Sequence, residues 1–289
     1  MFADVELAAR IDQAEAHLCI AIATAVREHH PDTGVLIAPF AGGAATYLRP
    51  QSPLNKVIGA GFAGPLDERA LAAVEAPFWS RGEPVRVELA TLASPEVGAQ
   101  LTARGYQLRG FENVLGLPLA APRARGGEAA GQGGEAAGIS IEVVDAAADA
   151  TWLDVAVSGA AEPDVGGAGA EVVPRAALEQ VYLDFVRAAG FRRYLARIDG
   201  QPAGAATLRL DGSVALFCGA ATLPAWRRRG VQTALLRARL ADARAAGCEV
   251  AAVTTEPGSR SQLNVTRQGF ALLYARAILI REAPGGDSG

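Results

Sequence analysis

Residues 221–236, ATLPAWRRRGVQTALL, decide how this chain is to be read. An extended run ends near Ala221 and Pro224 turns the backbone. After Arg227-Arg228-Arg229-Gly230, the apolar residues Val231, Ala234, Leu235, Ala238, Ala241 and Ala245 recur at helical spacing. The stretch therefore predicts a strand, a basic turn and a helix that stops at Gly247. Gly230 permits a backbone conformation and a close approach that a side chain would block. The N–H groups from about Arg228 to Gln232 head the helix without intrahelical partners, at the positive end of its dipole. A diphosphate fits that spot, with arginine side chains adding charge-assisted bonds at its rim.

Three consecutive arginines also suit a nucleic-acid patch or a solvated first turn. Charge speaks against nucleic acid. Residues 139–289 carry 16 basic and 16 acidic side chains, and the whole chain is at −4, whereas a nucleic-acid domain concentrates a basic surplus on one face. With Lys56 the sole lysine, nearly every cation is an arginine, which makes the triplet less unusual.

At 289 residues and 50% hydrophobic content the chain supports two domains, each with a core. Its longest apolar run, Leu18 to Val26, falls short of the roughly 20 residues that span a bilayer. The start, MFADVELAAR, is acidic where a signal peptide would be basic. The expectation is a cytoplasmic protein with no membrane partner. Cys19, Cys218 and Cys248 are widely spaced and form no CxxC, so they read as reduced, buried thiols and no metal site is expected. His29-His30 reads as a helix-end pair.

The segment APRARGGEAAGQGGEAAGIS, residues 121–140, holds a near-repeat and no large apolar residue before Ile139. Such a stretch buries too little surface to offset its ordering entropy, so residues 121–138 read as a flexible linker. It separates residues 1–120 from 139–283, with 284–289 a tail. After the linker the order reads strand, two helices, three antiparallel strands, helix, strand, helix, strand. Residues before the linker repeat the later part of this order, and both pieces close alike: ARGYQLRGFENVLGL beside RQGFALLYARAILI. Duplication of one α+β unit is the economical account.

Arg227-Arg228-Arg229-Gly230-Val231-Gln232 resembles the coenzyme-binding loop of the GCN5-related N-acetyltransferases (GNAT), whose pattern is Arg/Gln-x-x-Gly-x-Gly/Ala after the fourth strand. The match holds over the first four positions and departs at Gln232, where the family has a small residue. Together with the element order and the closing SQLNVTRQGF, the resemblance covers Ile139 to about Arg281. It implies a fold of two tandem GNAT-like units, each a mixed, mostly antiparallel sheet flanked by helices, the first a degenerate copy. It also implies acetyl transfer from acetyl-CoA to a primary amine by direct attack, without a metal, in a monomer or homodimer. The family's fourth and fifth strands splay apart, here around Phe217 to Thr222 and Val253 to Glu256. The resemblance assigns the coenzyme to Ala220, Ala221 and Thr222, to Arg227, Arg228, Arg229, Gly230, Val231, Gln232 and Thr233, and to Ser259 and Asn264.

Acid and base are harder to find. Where many family members carry an Asn and a Tyr, this chain has Ser259 and Val265. Tyr274 or Tyr194 could substitute as acid, although a half-buried strand tyrosine is more often packing. Glu162, with Asp164 and Glu171 in the loop AAEPDVGGAGAE, could receive the proton or form an acidic lid over a cationic amine; a solvated loop is the plainer reading. The missing tyrosine leaves a second reading open, a non-catalytic acyl-CoA-binding or scaffold protein of the same fold. In the first half, Asp67 and Glu68 stand where the coenzyme loop should be and would repel a diphosphate. Gly59, Gly61 and Gly64 spell G-x-G-x-x-G outside any parallel strand–helix–strand unit, which argues against a dinucleotide site.

Overall fold

Asp4 caps the first helix, α1 (Val5–His29), by accepting the Leu7 N–H at 2.8 Å. Its 25 residues make it about 37 Å long, enough to cross both halves of the protein. The computed structural model of the chain describes residues 2–119, 138–162 and 174–283. The expected linker apart from Gly138, the tail, and Asp164 and Glu171 lie outside them.

The first half continues with β1 (Leu36–Phe40), β2 (Gly43–Tyr47), β3 (Lys56–Ile58), α2 (Glu68–Trp79), β4 (Val85–Ala90), α3 (Pro95–Ala103) and β5 (Gln107–Pro118). The second half contains β6 (Ile139–Val143), α4 (Asp149–Ala161), α5 (Arg175–Arg187), β7 (Phe191–Ile198), β8 (Gln201–Asp211) and β9 (Val214–Thr222). It ends with α6 (Val231–Ala245), β10 (Val250–Thr255), α7 (Arg260–Arg267) and β11 (Ala271–Arg281). From β1 to β5 the order repeats that from β7 to β11, element for element. The fold is α+β, as the sequence leads one to expect.

Strand order departs from a simple tandem. All strands join one 11-stranded sheet, ordered β1-β2-β3-β4-β11-β5-β10-β9-β8-β7-β6. In each repeat the last strand leaves its own neighbours and closes the sheet of the other. Thus β11 lies against β4, with Arg276 opposite Ala90, and β5 lies against β10, with Asn113 opposite Thr255. The two exchanged strands pair antiparallel with each other in the middle of the sheet.

Side chains alternate between the two faces. One face packs against α1, α4 and α5 in a core that includes Ile22, Trp152, Leu216 and Ala252. The other packs against α6 and α7 around Leu235, Phe217 and Phe270, and against α2 and α3 around Phe78 and Leu101. Among the described residues no helix is long and apolar enough to cross a membrane.

A buried ionic network holds the exchange in place. Arg276 on β11 is fully buried and donates to Asp12 at 2.7 Å and Glu15 at 2.6 Å, both on α1. Lys56 on β3 joins it through Glu15 at 3.1 Å and Glu88 of β4 at 2.8 Å. Burial alone would raise the Glu15 carboxyl, but Arg276 and Lys56 hold it down at about 2. Arg276 and Lys56 are thus each paired with two carboxylates in a region largely closed to water.

Losing one partner from such a network strands the others without solvent. Arg276→Gln is expected to lower unfolding stability by about 3–5 kcal/mol, read as a shift of the urea midpoint. The exchange also predicts that residues 139–289 expressed alone, with the β10 edge bare, will aggregate or self-associate. Co-expression with residues 1–120 should restore a one-to-one complex on size exclusion.

Candidate active site

Strands β9 and β10 run parallel and pair only at Val214–Val250, Ala215–Ala251 and Leu216–Ala252. Beyond that point β9 follows β8 as far as Thr222, while β10 follows β5 as far as Thr255. Each strand is held by its outer neighbour, so the two part. The resulting cleft encloses about 670 Å³, within the range of small-molecule sites.

Within β9 the pairing with β8 slips between Thr207–Cys218 and Ala205–Ala221, a bulge centred on Gly219 and Ala220. Gly219 has φ +56°, and a Cβ there would meet the Thr207 hydroxyl at 3.0 Å. That hydroxyl donates to the Cys218 carbonyl at 2.6 Å and fixes the bulge. Cys218 lines the cleft, but burial pushes its thiol up to about 11, so it stays protonated and is no nucleophile.

The start of α6 forms the mouth of the cleft. Arg228 at φ +61° and Gly230 at φ +87° bend the chain into the helix, and no side chain caps it. Among the described residues nothing accepts the N–H groups of residues 228–233; the first turn closes only with Ala234 N–H to the Gly230 carbonyl at 3.0 Å. By contrast, Asp67 caps α2 by accepting from Ala70 at 2.7 Å, and Ser259 caps α7 by accepting from Gln262 at 3.2 Å. α3, α4 and α5 also start without a side-chain cap, but the start of α6 is the one that borders the cleft, where its free N–H groups suit an anion.

The three arginines do different things. Arg227 turns inward, donating to the Thr222 carbonyl at 3.3 Å, the Gly159 carbonyl at 3.3 Å and the Glu162 carbonyl, and so ties the loop to α4. Arg228 is exposed and lines the cleft, whereas Arg229 stacks on Trp226 at 4.7 Å and lies outside the lining. Gln232 sends its amide to the Thr222 hydroxyl at 2.9 Å, fastening the helix to the strand end while its backbone N–H stays open. The cleft also brings together Ala220, Ala221, Thr222, Gly230, Val231 and Thr233, with Ser259 and Asn264 across from them.

The expected acid and base are not assembled there. Tyr274 rides on the exchanged β11 and donates to Asp12 at 2.5 Å, so it serves the buried network behind α1. Its side chain points to the α1 face of the sheet and lies outside the cleft lining. Tyr194 donates to Asp242 at 2.5 Å, and burial raises its phenol further. Glu162 ends α4 exposed and outside the lining, and its contribution is its carbonyl to Arg227. Val265 lines the cleft and packs with Phe270, an apolar side chain where a proton donor was sought. His29 donates from Nδ1 to the Ala25 carbonyl and His30 accepts at Nε2 from Arg187, both structural roles.

Among the lining residues without a sequence-based assignment, one is a buried charge. Arg239 is 3% exposed and lines the deep end. Its signal was available: it continues the core-facing row Val231, Leu235 at intervals of four, where an apolar residue belongs.

In the first half the corresponding cleft is closed. The segments following β3 and β4 are tied by the Ser94 N–H to the Gly61 carbonyl at 3.0 Å, and a Cβ at Gly61 would press on Val97 at 3.2 Å. Contrary to the sequence expectation, Gly59, Gly61 and Gly64 do follow the first strand of a parallel strand–helix–strand unit, β3–α2–β4, but Asp67 already occupies the start of α2.

Comparison with known proteins agrees with this geometry. The model of the acetyltransferase (GNAT) family matches residues 165–270, the span that holds β9, the open loop, α6 and β10. Residues 165–270 are a GNAT acetyltransferase domain. The likeness of fold extends beyond it. A GCN5-related N-acetyltransferase from Kribbella flavida superposes with a TM-score of 0.58 at 18% identity, covering 94% of this chain and 96% of its own. A tandem GNAT protein from the clavulanic acid biosynthesis pathway gives 0.52 at 15% identity, covering 92% and 89%. A functionally unknown conserved protein from Staphylococcus epidermidis gives 0.53 at 12% identity, covering 89% and 97%. At these identities the likeness is one of fold. A sequence search of curated proteins finds no match. The GNAT domain keeps its cleft open, while the preceding repeat has the same order of elements and a closed one.

Proposed function

We propose that this protein transfers the acetyl group of acetyl-CoA to the primary amine of a small acceptor, by direct attack within a ternary complex. The observation that carries the reading is the parting of β9 and β10 directly beside the uncapped start of α6. The residues present suit the coenzyme. Open N–H groups at residues 228–233 and the Arg228 side chain would hold the diphosphate, and the gap between the parted strands would admit the pantetheine arm. The β9 edge that faces β10 beyond Leu216 has no strand partner there, and its backbone donors would polarise the thioester carbonyl. We place the activity in the cytoplasm, in a monomer or homodimer.

The apolar Val265 favours one rival, a protein that binds acyl-CoA without turning it over. Two measurements separate the readings. Calorimetry should show acetyl-CoA binding to the wild type. Gly230→Val, which places a β-branched residue at φ +87°, adds about 1–2 kcal/mol of backbone strain. This variant should weaken binding at least tenfold. Release of coenzyme thiol with any member of a broad amine panel establishes transfer, and binding without release establishes the rival. An absence of heat with wild-type protein at millimolar acetyl-CoA overturns both.

A further inference from the structure

Arg239 presents a charge problem that the coenzyme loop does not solve. Its guanidinium donates to the Leu235 carbonyl at 3.2 Å and the Thr207 carbonyl at 3.1 Å, and lies 4.8 Å from the centre of the Phe217 ring. Among the described residues no carboxylate pairs with it. The titratable groups that face it are the Cys218 thiol on β9 and the Tyr194 phenol on β7; burial keeps both protonated at neutral pH. Asp242, one turn further along α6, is taken by Arg192 at 2.8 Å and by Tyr194. Burial draws Arg239 down to about 10, still above neutral, so the group remains a cation. A buried cation without an anion is costly unless something supplies the anion.

Its position says when the anion would arrive. From Gly230 to Arg239 the helix rises about 14 Å, running from the mouth, where Gln232 meets Thr222, to the level of Phe217. Phe217 follows Leu216, the last β9 residue paired with β10, so Arg239 sits at the apex where the strands part. The other charged side chains of the lining are Arg227, Arg228, Glu256, Arg260 and Arg267. Glu256, the one carboxylate among them, lies four residues past the last paired position of β10, about 13 Å along the chain. A ligand anchored by its phosphates at the open helix start and threaded between the strands would bring its far end to the guanidinium.

We propose that Arg239 is the counter-charge for the coenzyme thiolate that leaves in the transfer, standing in for the proton donor absent at Val265. The inference rests on the acetyltransferase reading above. The amine lone pair forms the new C–N bond at the carbonyl carbon. The C–S bond then breaks and its electron pair departs with sulfur, while the surplus amine proton passes to water. Sulfur leaves as an anion paired with the guanidinium and takes a proton from solvent after release. A neutral phenol at position 265 is then unnecessary, because the leaving group is stabilised as a charge.

The test titrates the thiol of coenzyme A bound to the full-length protein, followed by thiolate ultraviolet absorbance against a blank with dethio-coenzyme A. An opposite charge at contact favours the ionised form by about one to three pH units. The bound thiol of the wild type should therefore be about 10- to 1000-fold more acidic than free coenzyme A. Arg239→Lys should keep part of that shift. Arg239→Met, whose unbranched stem preserves packing on Phe217, should lose it while still binding coenzyme A at the Gly230 loop. A bound thiol that titrates like free coenzyme A in the wild type, or identically in wild type and Arg239→Met, shows Arg239 to be a structural strut and overturns the proposal. Failure of the wild type to bind coenzyme A overturns the acetyltransferase reading instead, and calorimetry reports that separately.

Discussion

The pairing of Arg276 with Asp12 and Glu15 is the interaction on which the rest of the structure depends. It joins a strand from the end of the chain to a helix from its beginning, in the middle of the sheet and out of reach of water. A buried guanidinium tolerates only a few positions relative to its carboxylates. The register of β11 against β4 is therefore set by charge as well as by backbone pairing. With β11 fixed beside β4, β5 is left to close the sheet of the second half, and the two repeats become one layer. Such networks add less to net stability than their contacts suggest, because desolvation opposes them. Their stronger effect here is to make the exchanged arrangement specific.

The exchange has a consequence for chemistry. β10 diverges from β9 because β5, a strand of the first half, holds its outer edge through Thr255. The cleft is thus a property of both repeats even though its described lining comes entirely from the second. The first repeat, with the same order of elements, shows how little separates an open site from a closed one. One hydrogen bond across the strand ends, one valine against a glycine and one carboxylate at a helix start remove the space and the anion site together. A degenerate copy that retains its strands still has a use, because its last strand is part of the working half.

Within the cleft, positive charge is graded from the surface inward. Arg228 is at the solvent edge, Arg227 is consumed by backbone carbonyls, and Arg239 lies under the apex. The acidic side of the chemistry is sparse by comparison. Val265 is apolar, Tyr274 faces the other side of the sheet, and Tyr194 is held by Asp242. A site of this composition is better suited to stabilising negative charge than to donating protons.

The sequence by itself determined the elements and the uncapped helix start. Hydrophobic periodicity placed β9, α6 and β10 within a residue or two, because period and punctuation are local properties of the chain. The run from Arg227 to Gln232 was legible for the same reason: an uncapped helix start behind a glycine is written in consecutive residues. Repetition of the element order was equally visible. Only the tertiary structure decided which strand closes which sheet, since β5 and β11 both follow a short helix and a Gly-aromatic pair and the choice rests on contacts between α1 and β11, more than 240 residues apart. That choice set Tyr274 against Asp12 of α1. It was also the tertiary structure that gave Arg239 its surroundings: on a helical wheel it is a charge on the wrong side, and only the parting of β9 and β10 shows that this side lines a cleft.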